Sequence, residues 1–311
     1  VQVYINRRPI KGPWGGGAHF INAYHKLASR NGIKVLPNND GSINPDVILI
    51  VGLDNDGNDI SVEQAIMYKM YMKPSCQIIL RVNENDARKG TSHVDDILLK
   101  VSEHIDGAVF VSKWLRDYFL DKGWACKNNT VIYNGVDREI FKPQPKLNNG
   151  KVNIVTHHWS DNRMKGADIY EALDEFVGKF SDRFSFTYIG RHKCDFKYTK
   201  VIKPLSGKAL GEELGKYDVY ISASRFDPGP NHVIESIACE LPTYVHVDGG
   251  GSVEFAGKDH VYYNWNELKQ FLLDGQFKVN STSFETWNSC VQQYNDFIKS
   301  VWENRDVVRT L

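Results

Sequence analysis

Asp227 and Glu235 stand eight positions apart, with the turn Pro228-Gly229-Pro230 after the first and a helix-like run over 232–239 around the second. A strand–loop–helix junction of this kind can hold an anionic ligand on the backbone N–H groups at the helix start, here those of Gly229, Asn231 and His232. The carboxylates are then left for the hydroxyls of a sugar or a ribose. Pro230 shapes the turn but has no N–H to donate. Taken alone, the same two residues also fit a helix-capping carboxylate and a helix-surface charge.

Three other loops carry chemistry. Gly15, Gly16 and Gly17 follow an apolar strand and open a helix, so backbone N–H groups there could approach a phosphate or a sugar. The loop matches neither the dinucleotide fingerprint G-x-G-x-x-G nor a Walker lysine motif. Arg81, Asn83 and Asp86 lie in a polar stretch after another apolar strand, a composition suited to a hydroxyl-rich acceptor and equally to a solvated loop. In 156–166, Lys165 stands before Gly166 and a helix, placed to neutralise a departing diphosphate, with Arg163 close by. His157 and His158 are adjacent on a strand and point to opposite faces, with no third ligand at a recognisable spacing, so no metal site is expected. Asp54-Asn55-Asp56 has the D-x-D spacing of some divalent-ion sites but sits in an Asp/Asn/Gly-rich turn, where solvation is the simpler reading. Ser112 and Cys126 lack any nucleophile motif, which argues against a triad hydrolase.

The elements that must position these loops alternate. β-Branched runs over 2–5, 46–51, 77–82, 107–111 and 130–133 are separated by helical patterns over 18–31, 62–72, 94–104 and 113–122. A polar Pro/Asn/Gly stretch, 142–150, reads as a linker. The pattern then restarts, with strands over 152–156, 185–189, 219–222 and 243–247 and helices over 167–180, 209–216, 232–239 and 266–273. This is α/β architecture with parallel sheets in two Rossmann-like units, and ligands are expected where the carboxyl ends of the strands face the interdomain cleft. The divisions are 1–145 for an N-terminal unit, 146–283 for a second unit, and 284–311 for a C-terminal helix. That helix, with Phe284, Trp287, Val291, Tyr294, Ile298 and Val301 on one stripe, either caps its own unit or packs back on the first.

Composition narrows the function. The 311 residues are 41% hydrophobic, enough for two cores, and Lys+Arg and Asp+Glu both total 38, leaving no net field to attract nucleic acid. Five cysteines, odd in number and without C-x-x-C spacing, point to reduced thiols and a cytoplasmic setting. No apolar run approaches the roughly 20 residues that span a bilayer, so no transmembrane segment is expected, and peripheral membrane contact stays open.

Together these motifs resemble the retaining glycosyltransferases of GT-B architecture in the large family 4 group, which use nucleotide-sugar donors. The resemblance runs from Gly12 to about Glu254. It rests on the glycine loop Gly15-Gly16-Gly17, the Val111-Ser112 helix opening, Asn134-Gly135-Val136-Asp137 before the linker, Lys165-Gly166, and a Glu-x7-Glu-like motif whose first member is Asp227. It implies as partners a nucleoside-diphosphate sugar, bound by the donor-binding unit 146–283, and a hydroxyl acceptor of glycan or glycoconjugate type, bound by the acceptor-binding unit 1–145, with neither nucleic acid nor a cofactor or metal. Lys165 and the loop at Gly229–His232 would hold the diphosphate, Glu235 the ribose and Asp227 the transferred sugar. Four positions depart from the family pattern: Asp227 replaces a glutamate, Trp159 an arginine, Glu240 a small residue before Leu241-Pro242, and Asn83 a histidine. A GT-B-like sugar-nucleotide epimerase and a non-catalytic nucleotide- or sugar-binding protein remain alternatives.

Overall fold

The computed structural model describes residues 1–12, 15–37, 43–53 and 59–305. Asp54-Asn55-Asp56, with Pro13 and Trp14 of the glycine loop, falls outside them.

The first sheet is built from β1 (Gln2–Ile5), β2 (Lys34–Val35), β3 (Val47–Ile50), β4 (Gln77–Val82), β5 (Gly107–Phe110) and β6 (Asn129–Val131). Its order is β2-β1-β3-β4-β5-β6, with every pair parallel. Its helices are α1 (Gly16–Leu27), α2 (Val62–Met67), α3 (Asp86–Lys89), α4 (Val94–Ser102) and α5 (Lys113–Leu120). After β7 (Gly135–Val136) comes the second sheet: β8 (Val152–His158), β9 (Phe184–Gly190), β10 (Lys200–Ile202), β11 (Val219–Ser222), β12 (Thr243–His246) and β13 (Val261–Tyr262). Its order is β10-β9-β8-β11-β12-β13, again all parallel. The helices α6 (Ala167–Lys179), α7 (Gly207–Leu214), α8 (Asn231–Ala238), α9 (Ser252–Ala256) and α10 (Trp265–Asp274) cover it, and β14 (Glu285–Thr286) and α11 (Trp287–Glu303) end the chain. Two facing Rossmann-like units of this kind constitute the GT-B fold.

Both faces of each sheet are buried, which is why the strands read as unbroken apolar runs. In β3, Val47 and Leu49 point into the core shared with α1 and α11, while Ile48 and Ile50 point into the core under α2, α4 and α5. The second sheet divides in the same way, with α7 and α8 on one face and α6 and α10 on the other.

The C-terminal helix returns to the first unit. Tyr294 packs on Phe20 of α1 with ring centroids 4.5 Å apart, and Asn295 donates to the Ala28 carbonyl at 3.0 Å. This return is held by a short parallel pairing of β14 with β7. A Cβ on Gly135 would lie 2.4 Å from the Trp287 backbone nitrogen, so the glycine of the Asn-Gly-Val-Asp element is demanded by this close backbone approach. Val136 and Phe141 already pack in the second unit's core. The chain therefore crosses between units near Gly135, ahead of the 142–150 stretch expected as the linker. That stretch instead runs along the second unit, with Leu147 N–H on the Lys216 carbonyl at 3.0 Å and Lys146 Nζ on the Tyr217 carbonyl. Among the described residues no helix is long and apolar enough to cross a membrane.

Candidate active site between the two sheets

In each sheet the strand order reverses beside the first strand of the unit, between β1 and β3 and between β8 and β11, and the loops leaving those carboxyl ends face one another. They enclose a cavity of about 970 Å³. Gly15, Gly16, Gly17, Arg81, Asn83, Lys165, Asp227, Gly229, Asn231, His232 and Glu235 all line it.

Lys165 and Asp227 form its charged centre. Lys165 Nζ donates to Asp227 Oδ2 at 3.1 Å, as does Ser224 Oγ at 3.1 Å, and Arg88 Nη2 stands 3.6 Å from the same oxygen. Burial pushes the Lys165 ammonium down to about 8, against the opposing pull of Asp227. Burial by itself would raise the Asp227 carboxyl, but the Lys165 and Arg88 charges outweigh it and hold the carboxyl far below the usual range. His158 and His232, with ring centroids 4.9 Å apart, are pushed well below the ordinary imidazole range, first by burial and then by the Lys165 charge. Both are therefore neutral imidazoles, and each is bonded to a hydroxyl. His232 meets Ser222 Oγ at 2.8 Å and His158 meets Tyr170 at 2.7 Å.

Glu235 is buried on α8. Its Oε2 meets His157 Nε2 at 2.8 Å, and its Oε1 lies 3.7 Å from His19 Nδ1 on α1. The paired histidines thus serve two different hydrogen-bond networks. Among the described residues no three His, Cys, Asp or Glu side chains converge as metal ligands.

The two units touch through small and polar groups. Asn134 accepts from Arg81 Nη2 at 2.7 Å and donates to Asn231 Oδ1 at 2.6 Å and to the Gly229 carbonyl at 3.3 Å. A Cβ on Gly15 would lie 2.5 Å from Trp159 Nε1, and one on Gly16 would lie 2.7 Å from Asn231 Oδ1. The glycine loop therefore allows close approach between the units as well as opening α1. Farther along, Glu254 of α9 accepts from the backbone N–H groups of Lys113 and Trp114 at 3.2 and 2.6 Å and from the Tyr133 hydroxyl at 2.7 Å. Phe226 takes a left-handed backbone, φ 52°, and its ring stacks on Trp114.

Some residues singled out by sequence lie elsewhere. Arg163 is exposed, in a single 3-10 turn that turns its side chain away while Lys165 points inward, and it does not line the cavity. Asp86 accepts from the backbone N–H groups of His93, Val94 and Asp95, so it is spent on starting α4. Pro230 is the residue before α8 and stands behind the lining. Arg81 is 2% exposed, with its guanidinium 4.6 Å from the Phe20 ring centroid, so it reaches the cavity from beneath α1. Arg88, His19, His157 and Asn134 line the cavity and Glu254 bridges the units beyond it, and sequence reasoning passed over all of them. Their roles depend on which loop faces which across the cleft, and nothing local marks that.

With this geometry in place, the fold has clear relatives among solved structures. The Anabaena protein Alr3699/HepE in complex with UDP-glucose aligns over 100% of both chains at 12% identity and a TM-score of 0.67. Sucrose-phosphate synthase from Thermosynechococcus elongatus covers 99% of this chain and 97% of its own, at 11% identity and 0.62. The pneumococcal O-GlcNAc transferase GtfA, in complex with UDP and GlcNAc, covers 84% of this chain and 56% of its own, at 12% identity and 0.55. These neighbours are GT-B glycosyltransferases. No protein-family model matches the sequence, and no curated protein does.

Proposed function

We propose that this protein transfers a glycosyl group from a nucleoside-diphosphate sugar to a hydroxyl acceptor, with retention of anomeric configuration and without a metal. The observation that carries this is the convergence of Lys165, the α8 N-terminus, Asp227 and Glu235 on one cavity at the reversal point of the second sheet. The complexes of Alr3699/HepE with UDP and with UDP-glucose, a protein that aligns with this chain along its full length, support it.

In this reading the diphosphate lies between Lys165 and the N–H groups that open α8, where both the ammonium and the helix dipole favour negative charge. The ribose hydroxyls donate to Glu235, whose Oε2 is already fixed by His157. Pro204, Leu205 and Ser206 border the same cavity and would receive the base. The sugar hydroxyls donate to Asp227, and the acceptor enters from the Asn83 side. As the glycosidic C–O bond to the diphosphate breaks, negative charge grows on the leaving oxygen and positive charge on the anomeric carbon. Lys165 stabilises the former where water is largely excluded. The acceptor oxygen attacks from the face the diphosphate leaves and passes its proton to a phosphate oxygen.

The test has two parts. A thermal-shift panel of UDP, GDP, ADP and their sugars should give one stabilising series, by about 2.7 kcal/mol at a hundredfold excess over Kd. Lys165→Ala and Glu235→Gln should then each lose transfer by about a hundredfold while still folding. Wild-type turnover in both variants removes the proposed donor site, and a new sugar nucleotide formed without acceptor points to the epimerase.

A further inference from the structure

We propose that Arg88, carried by the first unit, is a second cation for the donor diphosphate and completes the donor site only when the units close. The inference rests on the donor-site reading above and adds to it a residue from the opposite side of the cleft.

The charge balance points this way. Lys165 and Arg88 both face one carboxylate oxygen, Asp227 Oδ2, at 3.1 and 3.6 Å. Their side chains are only 13% and 12% exposed. The nearby His158 and His232 are neutral, and Glu235 is held by His157 and His19. Of the other cations lining the cavity, Arg8 pairs with Asp59 and Lys89 with Glu84, Arg7 donates to the Asn6 carbonyl at 2.9 Å, and Arg81 donates to Asn134 at 2.7 Å from beneath α1, away from Asp227. The Lys165–Arg88–Asp227 group therefore keeps one positive charge in excess in a largely buried place. Such a charge is costly unless an anion meets it.

The geometry of Arg88 supports the same role. Its helix α3 is anchored within the first unit, where Asn85 Oδ1 accepts the Arg88 N–H at 2.7 Å and Asp95 Oδ1 accepts the Asp86 N–H at 2.8 Å, and it already meets the second unit through Asn85 Nδ2 on the Phe226 carbonyl at 3.3 Å and Asn162 Nδ2 on the Arg88 carbonyl at 3.5 Å. From that anchor the guanidinium crosses to the second unit, where both of its contacts are long: 3.4 Å to the Arg225 carbonyl and 3.6 Å to Asp227. Neither has the length of a good charge-assisted hydrogen bond, so the planar fork keeps its capacity for a bidentate phosphate contact. Across the cavity Trp159, not an arginine, follows β8 and packs against Gly15. Among the described residues of the second unit, Lys165 is then the one cation paired with Asp227. An arginine on the opposing unit also couples ligand to motion: a diphosphate between Lys165 and Arg88 is bound fully only in the closed arrangement.

Calorimetry with the intact protein tests this, using UDP and UMP or the equivalent pair for whichever base binds. Arg88→Ala should weaken the diphosphate by about ten- to a hundredfold and leave the monophosphate within about twofold, and Arg88→Lys should recover part of the loss. The pH profile gives a second readout. Lys165 faces Asp227, Arg88, His158 and His232, and removing the Arg88 charge raises its pKa. The alkaline fall in diphosphate affinity should then move to higher pH in Arg88→Ala and stay in place in Arg88→Lys. An unchanged diphosphate-to-monophosphate ratio in Arg88→Ala overturns this inference alone. A wild-type protein that binds no nucleoside diphosphate overturns the donor-site reading beneath it. Should Arg88→Ala fail to fold, the same ratio is read in Arg88→Gln.

Discussion

Glu254→Ala should open the cleft without unfolding either unit. Glu254 belongs to the second unit, and the groups it satisfies lie in the first unit and at the crossing: two N–H groups of the α5 first turn and the Tyr133 hydroxyl. Burial and then the Glu254 carboxylate push the Tyr133 hydroxyl up, so at neutral pH it is a donor. The α5 terminus has its own cap, since Ser112 Oγ accepts the Leu115 N–H at 3.1 Å, and losing Glu254 therefore leaves that helix intact. A carboxylate accepting such bonds contributes roughly 1.5–3 kcal/mol after exchange with water. If about 2 kcal/mol of this belongs to closure, the closed-to-open ratio falls about thirtyfold. Small-angle scattering should show a larger radius of gyration for the ligand-free variant and recovery at saturating nucleotide. Apparent nucleotide affinity should fall by up to the same factor, because binding then has to close the cleft first. Unchanged dimensions together with unchanged affinity would show that this contact contributes nothing to closure, and the polar seam would have to be ascribed to Asn134 and Asn231 instead.

Two further outcomes follow from particular residues. Lys165 titrates near 8, and an anionic ligand prefers its charged form. Diphosphate affinity should hold below about pH 8 and fall by up to about tenfold per unit above it, whereas Lys165→Arg, charged throughout, should lose that limb. The same fall in Lys165→Arg would assign it to another group. Glu240 follows α8 with a left-handed backbone, φ 55°, where glycine is at ease. Relief of roughly 1–2 kcal/mol, less about 0.5–1 for the extra freedom of the unfolded chain, should let Glu240→Gly raise Tm by up to ~2 °C. A lower Tm would mean that the Glu240 side chain makes a contact worth more than the strain.

What the sequence showed of the fold was its strong periodicity. The inner strands announce themselves because both faces are buried, and the amphipathic helices because one face is. The strands β2, β10 and β13, two or three residues each, are too short to alternate visibly, and β7 and β14 exist only because the chain returns at Gly135. The helix expected over 62–72 changes at Tyr68 to a π-helical turn that leaves Met70, Tyr71 and Met72 exposed. The site was legible where chemistry is local: Lys165 before Gly166, and the carboxylates around α8. It was illegible where a side chain works across the cleft, because Arg88 and Glu254 look in sequence like ordinary surface charges.

Asp227 shows how the two kinds of information combine. By sequence it is one methylene shorter than the glutamate of the motif it resembles, a difference of about 1.5 Å in reach. In the structure that shorter side chain sets Oδ2 within 3.1 Å of both Lys165 and Ser224, with Arg88 beyond. A longer acid at 227 would carry its carboxylate past this position and leave the two cations facing each other with less between them. The short carboxylate at 227 thus leaves room for Arg88 to approach from the opposite unit, which is the arrangement that the proposed second diphosphate contact requires.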